Sequence, residues 1–135
     1  MYIFEKFKNK KVLITGHTGF KGAWLSLWMY LIGARVVGVS LPNKNKNNHF
    51  NKLNLKKNFK SYYFDIQNIN DLKKIFVKHK PDYVFHLAGQ SLVKKSYKSP
   101  RNTFLTNTIG TLNILESLLL LKKECVAVII TSDKV

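Results

Sequence analysis

The sequence predicts an α/β fold, a doubly wound parallel sheet of five strands in the order 3-2-1-4-5. Three observations lead to this prediction. Segments typical of strands alternate along the chain with segments typical of helices. The strand segments are continuously apolar, as expected when helices cover both faces of a sheet. A glycine-rich turn joins the first strand to the first helix. Five strands make an incomplete sheet of this type.

The glycine turn carries the strongest functional signal in the sequence. Gly16, Gly19 and Gly22 follow a β-branched strand at residues 12–15 and precede an apolar stretch at 23–32. Strand, glycine turn and helix in this order are typical of a Rossmann-type dinucleotide site. Gly16 would permit the tight turn, Gly19 would let a phosphate approach the backbone, and Gly22 would let the helix pack closely. The alternative is that the glycines serve only the turn.

The next elements follow from periodicity and from helix and strand breakers. A helix is predicted over residues 20–31, apolar nearly all round, with Gly33 past its end. The second strand is predicted at 35–41, where Pro42 ends it. The lysine- and asparagine-rich stretch that follows is predicted as a loop with one short helix near residues 50–55.

The second half of the chain repeats the alternation. The third strand is predicted at 61–66, and a helix starts near Asn70 and ends before Pro81. The fourth strand is predicted at 83–88, a long amphipathic helix at 103–121, and the fifth strand at 127–131.

Composition limits the class of protein. A chain of 135 residues with 45% hydrophobic content is expected to form one domain at most. Its single cysteine, Cys125, excludes an intrachain disulfide and suits a reducing cytosol. The amino terminus lacks the features of a signal peptide, and no apolar run reaches membrane-spanning length. We therefore expect a cytoplasmic protein without a membrane partner.

The net charge of +16 raises the question of nucleic-acid binding. Only two of the 23 cationic residues are arginine, Arg35 and Arg101, whereas proteins that read bases and phosphates favour arginine. The lysines are also scattered along the chain. We therefore interpret the charge as a compositional bias and expect no nucleic-acid partner.

Five motifs occur together in order: TGHTGFKG, FDI, VFHLAGQSLVKKSY, TNTIGT and ITSDK. Together they resemble the extended short-chain dehydrogenase/reductase family, the NAD-dependent epimerases and dehydratases. More narrowly, they resemble its CDP-glucose 4,6-dehydratase branch. Lys21 stands where most relatives carry an apolar residue, which is typical of that branch. The resemblance covers nearly the whole chain.

The resemblance implies NAD as the cofactor and assigns residues to its site. Asp65 and Ile66 match the pair that borders the adenine, although Asp65 on its own could be an ordinary acid at a strand end. Asn107 matches a helix residue that helps to hold the fourth strand, or else a polar residue on a helix face. The full set of residues expected at the cofactor comprises Gly16, Thr18, Gly19, Phe20, Gly22, Asp65, Ile66, Leu87, Ala88, Gly89, Gln90, Asn107 and Thr131.

The resemblance also implies a reaction on a nucleotide sugar, CDP-glucose. In that reaction a hydride leaves sugar C4, water is eliminated across C5 and C6, and the hydride returns to C6. Ser132 would hydrogen-bond the C4 oxygen, Asp133 would protonate the departing C6 hydroxyl, and Lys134 would act near C5. Without the rest of the site, these three residues could equally be a capped strand end.

The sequence departs from the family pattern in three places. Asn68 stands where a second acid often follows the adenine pair. Strand two ends at Ser40 and Leu41 without the acid that usually binds the ribose of NAD, and Lys44 or Lys46 could approach there.

The third departure is that the family's catalytic tyrosine and lysine, spaced YxxxK, are not among these residues, and neither is its nucleotide-sugar domain. We therefore interpret residues 1–135 as the amino-terminal part of the cofactor domain, inactive alone. The complete protein would be a homo-oligomer. In residues 1–135 alone, the fifth strand would form an exposed apolar edge. The remaining alternatives are another epimerase or dehydratase of the family and a non-catalytic nucleotide-binding module.

Overall fold

The computed structural model describes residues 2–42 and 48–131. Within them one parallel sheet contains β1 (Lys11–Thr15), β2 (Arg35–Ser40), β3 (Lys60–Tyr63), β4 (Tyr83–His86) and β5 (Val126–Ile129). The strand order is β3-β2-β1-β4-β5, which confirms the predicted topology. The order reverses between β1 and β4, so a crevice is expected beyond the carboxyl ends of these strands.

Helices cover both faces of the sheet. They are α1 (Tyr2–Glu5), α2 (Phe20–Leu31), α3 (His49–Lys52), α4 (Ile69–His79), α5 (Val93–Lys98), α6 (Pro100–Phe104) and α7 (Gly110–Leu118). A 3-10 turn, Leu55–Lys57, follows α3, and a π turn, Leu105–Ile109, joins α6 to α7. Gly33 follows α2 with a φ of +83°, as its predicted position past the helix end requires.

The core has two main layers because successive residues of β1 point to opposite faces. Val12 and Ile14 pack with Met29 of α2 on one face. On the other face Leu13 packs with Phe76 of α4 and with residues of α7. Cys125 lies half-buried against this second layer, and burial raises the pKa of its thiol, as expected of a packed rather than a reactive cysteine.

Several boundaries differ from the prediction. The third strand ends at Tyr63 rather than residue 66, and the fourth at His86 rather than 88. Each segment makes one further hydrogen bond to the neighbouring strand before it leaves the sheet. The Phe64 amide donates to the Ser40 carbonyl, and the Leu87 amide donates to the Thr15 carbonyl. The fifth strand begins and ends earlier than predicted, at Val126 and Ile129.

The helix predicted at residues 103–121 is longer at its start and interrupted. It begins at Pro100, because proline lacks the amide hydrogen that a first helical turn leaves unpaired. It contains the π turn and ends at Leu118. Helix α5 was not predicted, because it has no buried side chain among its described residues and therefore no apolar periodicity.

Two further findings concern surfaces. β5 is an edge strand with exposed valine side chains, as predicted for residues 1–135. In the part of the chain that the structure describes, no helix is both long enough and apolar enough to cross a bilayer.

Candidate functional site

The glycine turn lies between β1 and α2 and is unusually close-packed. Gly16 has a φ of +74°, and a Cβ built there would lie 2.8 Å from the Ala88 nitrogen. A Cβ on Gly22 would lie 2.1 Å from the Gly16 carbonyl oxygen. Both positions therefore require glycine, the first for conformation and space and the second for space. The turn is closed by the Gly19 amide, which donates to the Gly16 carbonyl at 2.9 Å.

The amino terminus of α2 opens beside this turn. Gly19 is its N-cap, and no side chain caps the helix. The first amide hydrogens of a helix lack partners within it, so they are available to an acceptor that lies at the turn. The turn and the helix end together can hold an anion.

A cavity of about 320 Å³ lies at the carboxyl ends of the strands, where the strand order reverses. Its lining joins segments that are far apart in sequence. The residues are Gly16, Thr18, Gly19, Ser40, Leu41, Pro42, Phe64, Asp65, Ile66, Leu87, Ala88, Gly89 and Thr106. Eight of the residues expected at the cofactor are therefore brought to one place.

The other expected residues lie elsewhere. Phe20 is exposed, with its ring 5.3 Å from that of His49, and Gly22 is buried behind the turn. Thr131 is exposed after β5. Gln90 and Asn107 lie beside the cavity rather than on its lining.

Ser132, Asp133 and Lys134, the residues expected to act on the sugar, lie outside the residues that the structure describes, as do Lys44 and Lys46.

The corner of the cavity expected to receive the adenine is formed after β3. The Asp65 carboxylate accepts a hydrogen bond from the Gln67 amide at 2.9 Å, which fixes its orientation. Ile66 is buried, and a Cβ on Gly110 would lie 2.5 Å from its side chain. The Gln67 side-chain amide donates to the Thr106 hydroxyl at 3.1 Å, so the π turn closes this corner.

A chain of hydrogen bonds, buried at its centre, holds the loop after β4. The Ala88 amide donates to the Thr15 hydroxyl at 3.2 Å, and Thr15 lies 2.6 Å from His86 Nδ1. His86 Nε2 lies 3.0 Å from the Thr111 hydroxyl, which donates to the Asn107 carbonyl. All these bonds are satisfied together if His86 is neutral and carries its proton on Nε2. Burial lowers the pKa of His86 to about 4, in agreement with the neutral form.

Asn107 and Gln90 form a two-bond clasp. The Gln90 amide donates to the Asn107 side-chain oxygen at 2.7 Å, and the Asn107 side-chain nitrogen donates to the Gln90 carbonyl at 3.0 Å. The Gln90 side chain donates in turn to Ser96 of α5 and to Thr103 of α6. The clasp fixes the segment that forms one wall of the cavity.

His17 sits behind the glycine turn. Its ring meets Phe50 edge-on at 5.0 Å, and its Nε2 lies 3.1 Å from the Ser61 hydroxyl. A Cβ on Gly38 would lie 2.4 Å from the His17 ring, so the ring occupies the space that glycine leaves on β2. Burial lowers the pKa of His17 to about 4, partly offset by the Val39 carbonyl.

Two uncharged hydroxyl side chains contact each other at the end of strand β2. The Ser40 and Thr18 hydroxyls lie 2.9 Å apart, so the end of the strand is tied to the glycine turn. Asp65 is the only acid on the cavity lining among the described residues.

Several lining residues, including Phe64 and Thr106, were not predicted from the sequence. Phe64 directly follows the observed end of β3 and lines the cavity beside Asp65 and Ile66. Thr106 reaches the cavity from the π turn, which no pattern in the sequence predicts. No cluster of three or more metal-binding side chains occurs within the described ranges.

Comparison with known proteins finds relatives that are named as nucleotide-sugar dehydratases and epimerases. A family model described as GDP-mannose 4,6 dehydratase matches residues 13–135. The CDP-glucose 4,6-dehydratase of Salmonella typhimurium is 40% identical over 128 residues, which cover 95% of this chain and 36% of that protein. The chain thus spans about a third of the length of such curated relatives.

Two solved structures are similar in fold and sequence. An epimerase from Methanothermobacter thermautotrophicus gives a TM-score of 0.78 at 32% identity, covering 90% of this chain and 35% of the other. A Thermus thermophilus UDP-glucose 4-epimerase, solved in complex with NAD, gives 0.70 at 28% identity, covering 79% and 33%.

Proposed function

The chain belongs to the GDP-mannose 4,6 dehydratase family, and we propose that its cavity binds NAD for a nucleotide-sugar dehydratase. The observation that carries this proposal is the glycine turn, packed too closely for a side chain at 16 or 22, at the mouth of a cavity where the strand order reverses. NAD, when bound, would supply the hydride chemistry, since its oxidised form accepts a hydride and its reduced form donates one.

The residues present fit this group. The pyrophosphate would lie against Gly19 and the uncapped amino terminus of α2, where a Cβ is missing and helix amide hydrogens point outward. The positive end of the helix dipole would also favour its charge. The carboxylate of Asp65 would accept from the adenine amino group, beside the buried Ile66.

The other wall would face the ribose and nicotinamide half. Residues 87–89 line the cavity there, and the clasp between Gln90 and Asn107 would hold them in position. On the side of the glycine turn, Ser40 and Thr18 would meet the adenosine ribose through hydroxyl groups instead of a carboxylate. Both sides of the cavity would therefore orient the cofactor.

For the complete enzyme we propose CDP-glucose 4,6-dehydratase activity, because the relative of that name is 40% identical over nearly the whole chain. We propose the cytoplasm as its location, which the single cysteine of residues 1–135 suits. Residues 1–135 would form the amino-terminal part of the cofactor domain. Ser132 would hydrogen-bond the sugar C4 oxygen, Asp133 would protonate the leaving C6 hydroxyl, and Lys134 would act near C5. A tyrosine–lysine pair and a sugar domain from a longer chain would complete the site.

The test is turnover by the full-length gene product. With CDP-glucose as the substrate, we expect loss of water and formation of the 4-keto-6-deoxy sugar. Mass spectrometry detects this product. Asp133→Asn should lower kcat by about 10²–10⁴-fold, the range of general acid catalysis. The matched control Asp71→Asn, at an exposed helix start, should leave kcat unchanged. Epimerisation of a UDP-sugar without dehydration would instead favour another reaction of the family.

A further inference from the structure

The described residues at the carboxyl end of β2 line one side of the cavity, and none of them is charged. They are Ser40, Leu41 and Pro42. Asp65 is the only acid on the lining among the described residues, and it belongs to the segment after β3. In dinucleotide sites of this kind an acid at the end of β2 favours NAD, because it accepts a hydrogen bond from the 2′-hydroxyl of the adenosine ribose. The same carboxylate repels a 2′-phosphate, so it also excludes NADP.

The two hydroxyl groups at this strand end suit either form of the ribose. A hydroxyl both donates and accepts hydrogen bonds, whereas a carboxylate only accepts them. The Ser40 and Thr18 oxygens lie 2.9 Å apart, so their contact uses one of the two hydroxyl protons. The Ser40 hydroxyl also points to the Leu41 carbonyl, but at 3.4 Å, which is longer than a good bond of this type, so a ligand can compete for that proton. The pair can therefore accept from a 2′-hydroxyl or donate to a 2′-phosphate.

The end of β2 is also open to solvent. Leu41 is 55% exposed and Pro42 is exposed, so a phosphate that extends past the strand end would stay in contact with water. A phosphate monoester carries about two negative charges at pH 7, and burial without a cationic partner would exclude it. The net charge of +16 on the chain favours the more anionic of two cofactors.

The cavity lining holds no arginine that would select NADP. Arg35 begins β2 at the opposite end of the strand, and Arg101 lies in α6, so neither of them lines the cavity. An arginine beside the ribose is the usual group that holds the 2′-phosphate of NADP. The described lining thus has neither the acid that favours NAD nor the arginine that favours NADP.

We propose that the cofactor site accepts NADP as well as NAD, and that the uncharged end of β2 sets this dual specificity. The inference rests on the proposed cofactor site and adds to it the second form of the dinucleotide. Ser40 and Thr18 are the specificity-determining residues, because their hydroxyl groups stand where a carboxylate would discriminate between the two forms.

Calorimetric titration of the cofactor-free, full-length gene product with NAD and, separately, with NADP tests the proposal. We expect the two dissociation constants to lie within about tenfold of each other, since no charged group of the described lining selects one form. Added NaCl should weaken the binding of NADP more than that of NAD, because NADP carries the larger negative charge.

A matched pair of variants tests whether the end of β2 sets this specificity. Leu41→Asp places a carboxylate beside the cavity and should raise the ratio of the NADP to the NAD dissociation constant by about tenfold or more. Val77→Asp introduces the same charge near the end of α4, at a position that is also 55% exposed, and should leave the ratio unchanged. Ser40→Asp gives a second placement of the carboxylate on the same strand end and should act like Leu41→Asp.

The outcomes separate this inference from the proposed function. NADP binding that is about 100-fold or more weaker than NAD binding would overturn the inference and leave the NAD site standing. A ratio that is unchanged in both Leu41→Asp and Ser40→Asp would also overturn it, because the end of β2 would then not face the ribose. Binding of neither cofactor would contradict the proposed function as well.

Discussion

The two walls of the cavity are held by different physical means. The glycine wall, residues 16–22 with the end of β2, is held by close approach of backbone and rings, with no room at Gly16, Gly22 or Gly38 for a Cβ. The clasp wall, residues 87–90 with the π turn, is held by hydrogen bonds that pass through Thr15, His86 and Asn107. Added side-chain volume should therefore destabilise the first wall, and loss of a hydrogen bond should destabilise the second.

The largest effect is expected from adding one methyl group to the glycine wall. Gly22→Ala would place a Cβ 2.1 Å from the Gly16 carbonyl, where only backbone movement relieves the clash. We expect the free energy of unfolding to fall by about 3 kcal/mol or more. Urea unfolding followed by circular dichroism measures this.

Gly19→Ala is the matched control, because its Cβ would meet the Gly16 oxygen at 3.2 Å and its φ of −70° suits alanine. This variant should remain within about 1 kcal/mol of the unmodified chain. Equal destabilisation by the two substitutions would mean that close packing does not hold the turn.

Acid should weaken both walls through their buried histidines. His17 and His86 have a pKa of about 4 in the folded chain against 6.5 in the unfolded chain, so the unfolded chain binds more protons between these values. Their contribution to stability is complete above about pH 6.5 and is lost as pH falls toward 4. The loss approaches about 3 kcal/mol for each histidine.

This loss is measured as the urea concentration at the midpoint of unfolding, between pH 7.5 and pH 4.5. The midpoint should fall less steeply with falling pH in His86→Gln and in His17→Phe, because each variant removes one titrating group. A stability that is flat over this range would contradict the neutral, buried state of both rings.

A double-mutant cycle tests the packing of the glycine wall. Gly38→Ala forces a Cβ to 2.4 Å from the His17 ring, so it should cost about 2 kcal/mol. His17→Ala vacates that space. The double variant should therefore lose less free energy of unfolding than the sum of the two single losses, by about 1 kcal/mol or more. Simple additivity in urea unfolding would show that the ring and the glycine do not share this space.

The smallest effect is expected at the clasp. Asn107→Leu removes two exposed hydrogen bonds to Gln90 and should lower the free energy of unfolding by about 1 kcal/mol. Hydrogen exchange at the Gln90 amide should accelerate more than at amides of β1. The control is Asn102→Leu, at an exposed position of α6. Unchanged exchange at Gln90 would mean that the clasp does not hold the loop.

The difference between the walls also explains what the sequence could predict. The glycine wall is local, because its strand, turn and helix are consecutive in the sequence, and the topology followed from apolar runs and turns. The clasp pairs Gln90 with Asn107 across α5 and α6, and neither helix has a buried residue among those described to mark it. The π turn that brings Thr106 to the cavity, and the fit of His17 on Gly38 of a neighbouring strand, depend on tertiary packing.

Isothermal titration calorimetry with NAD shows whether the cavity binds this cofactor. We expect saturable binding to one site per chain, weakened tenfold or more by Gly19→Ala and by Asp65→Ala. Asp71→Ala, whose carboxylate pairs with Lys74 away from the cavity, should bind like the unmodified chain. Absence of binding at millimolar NAD, or equal binding by all variants, would mean that this cavity is not an NAD site.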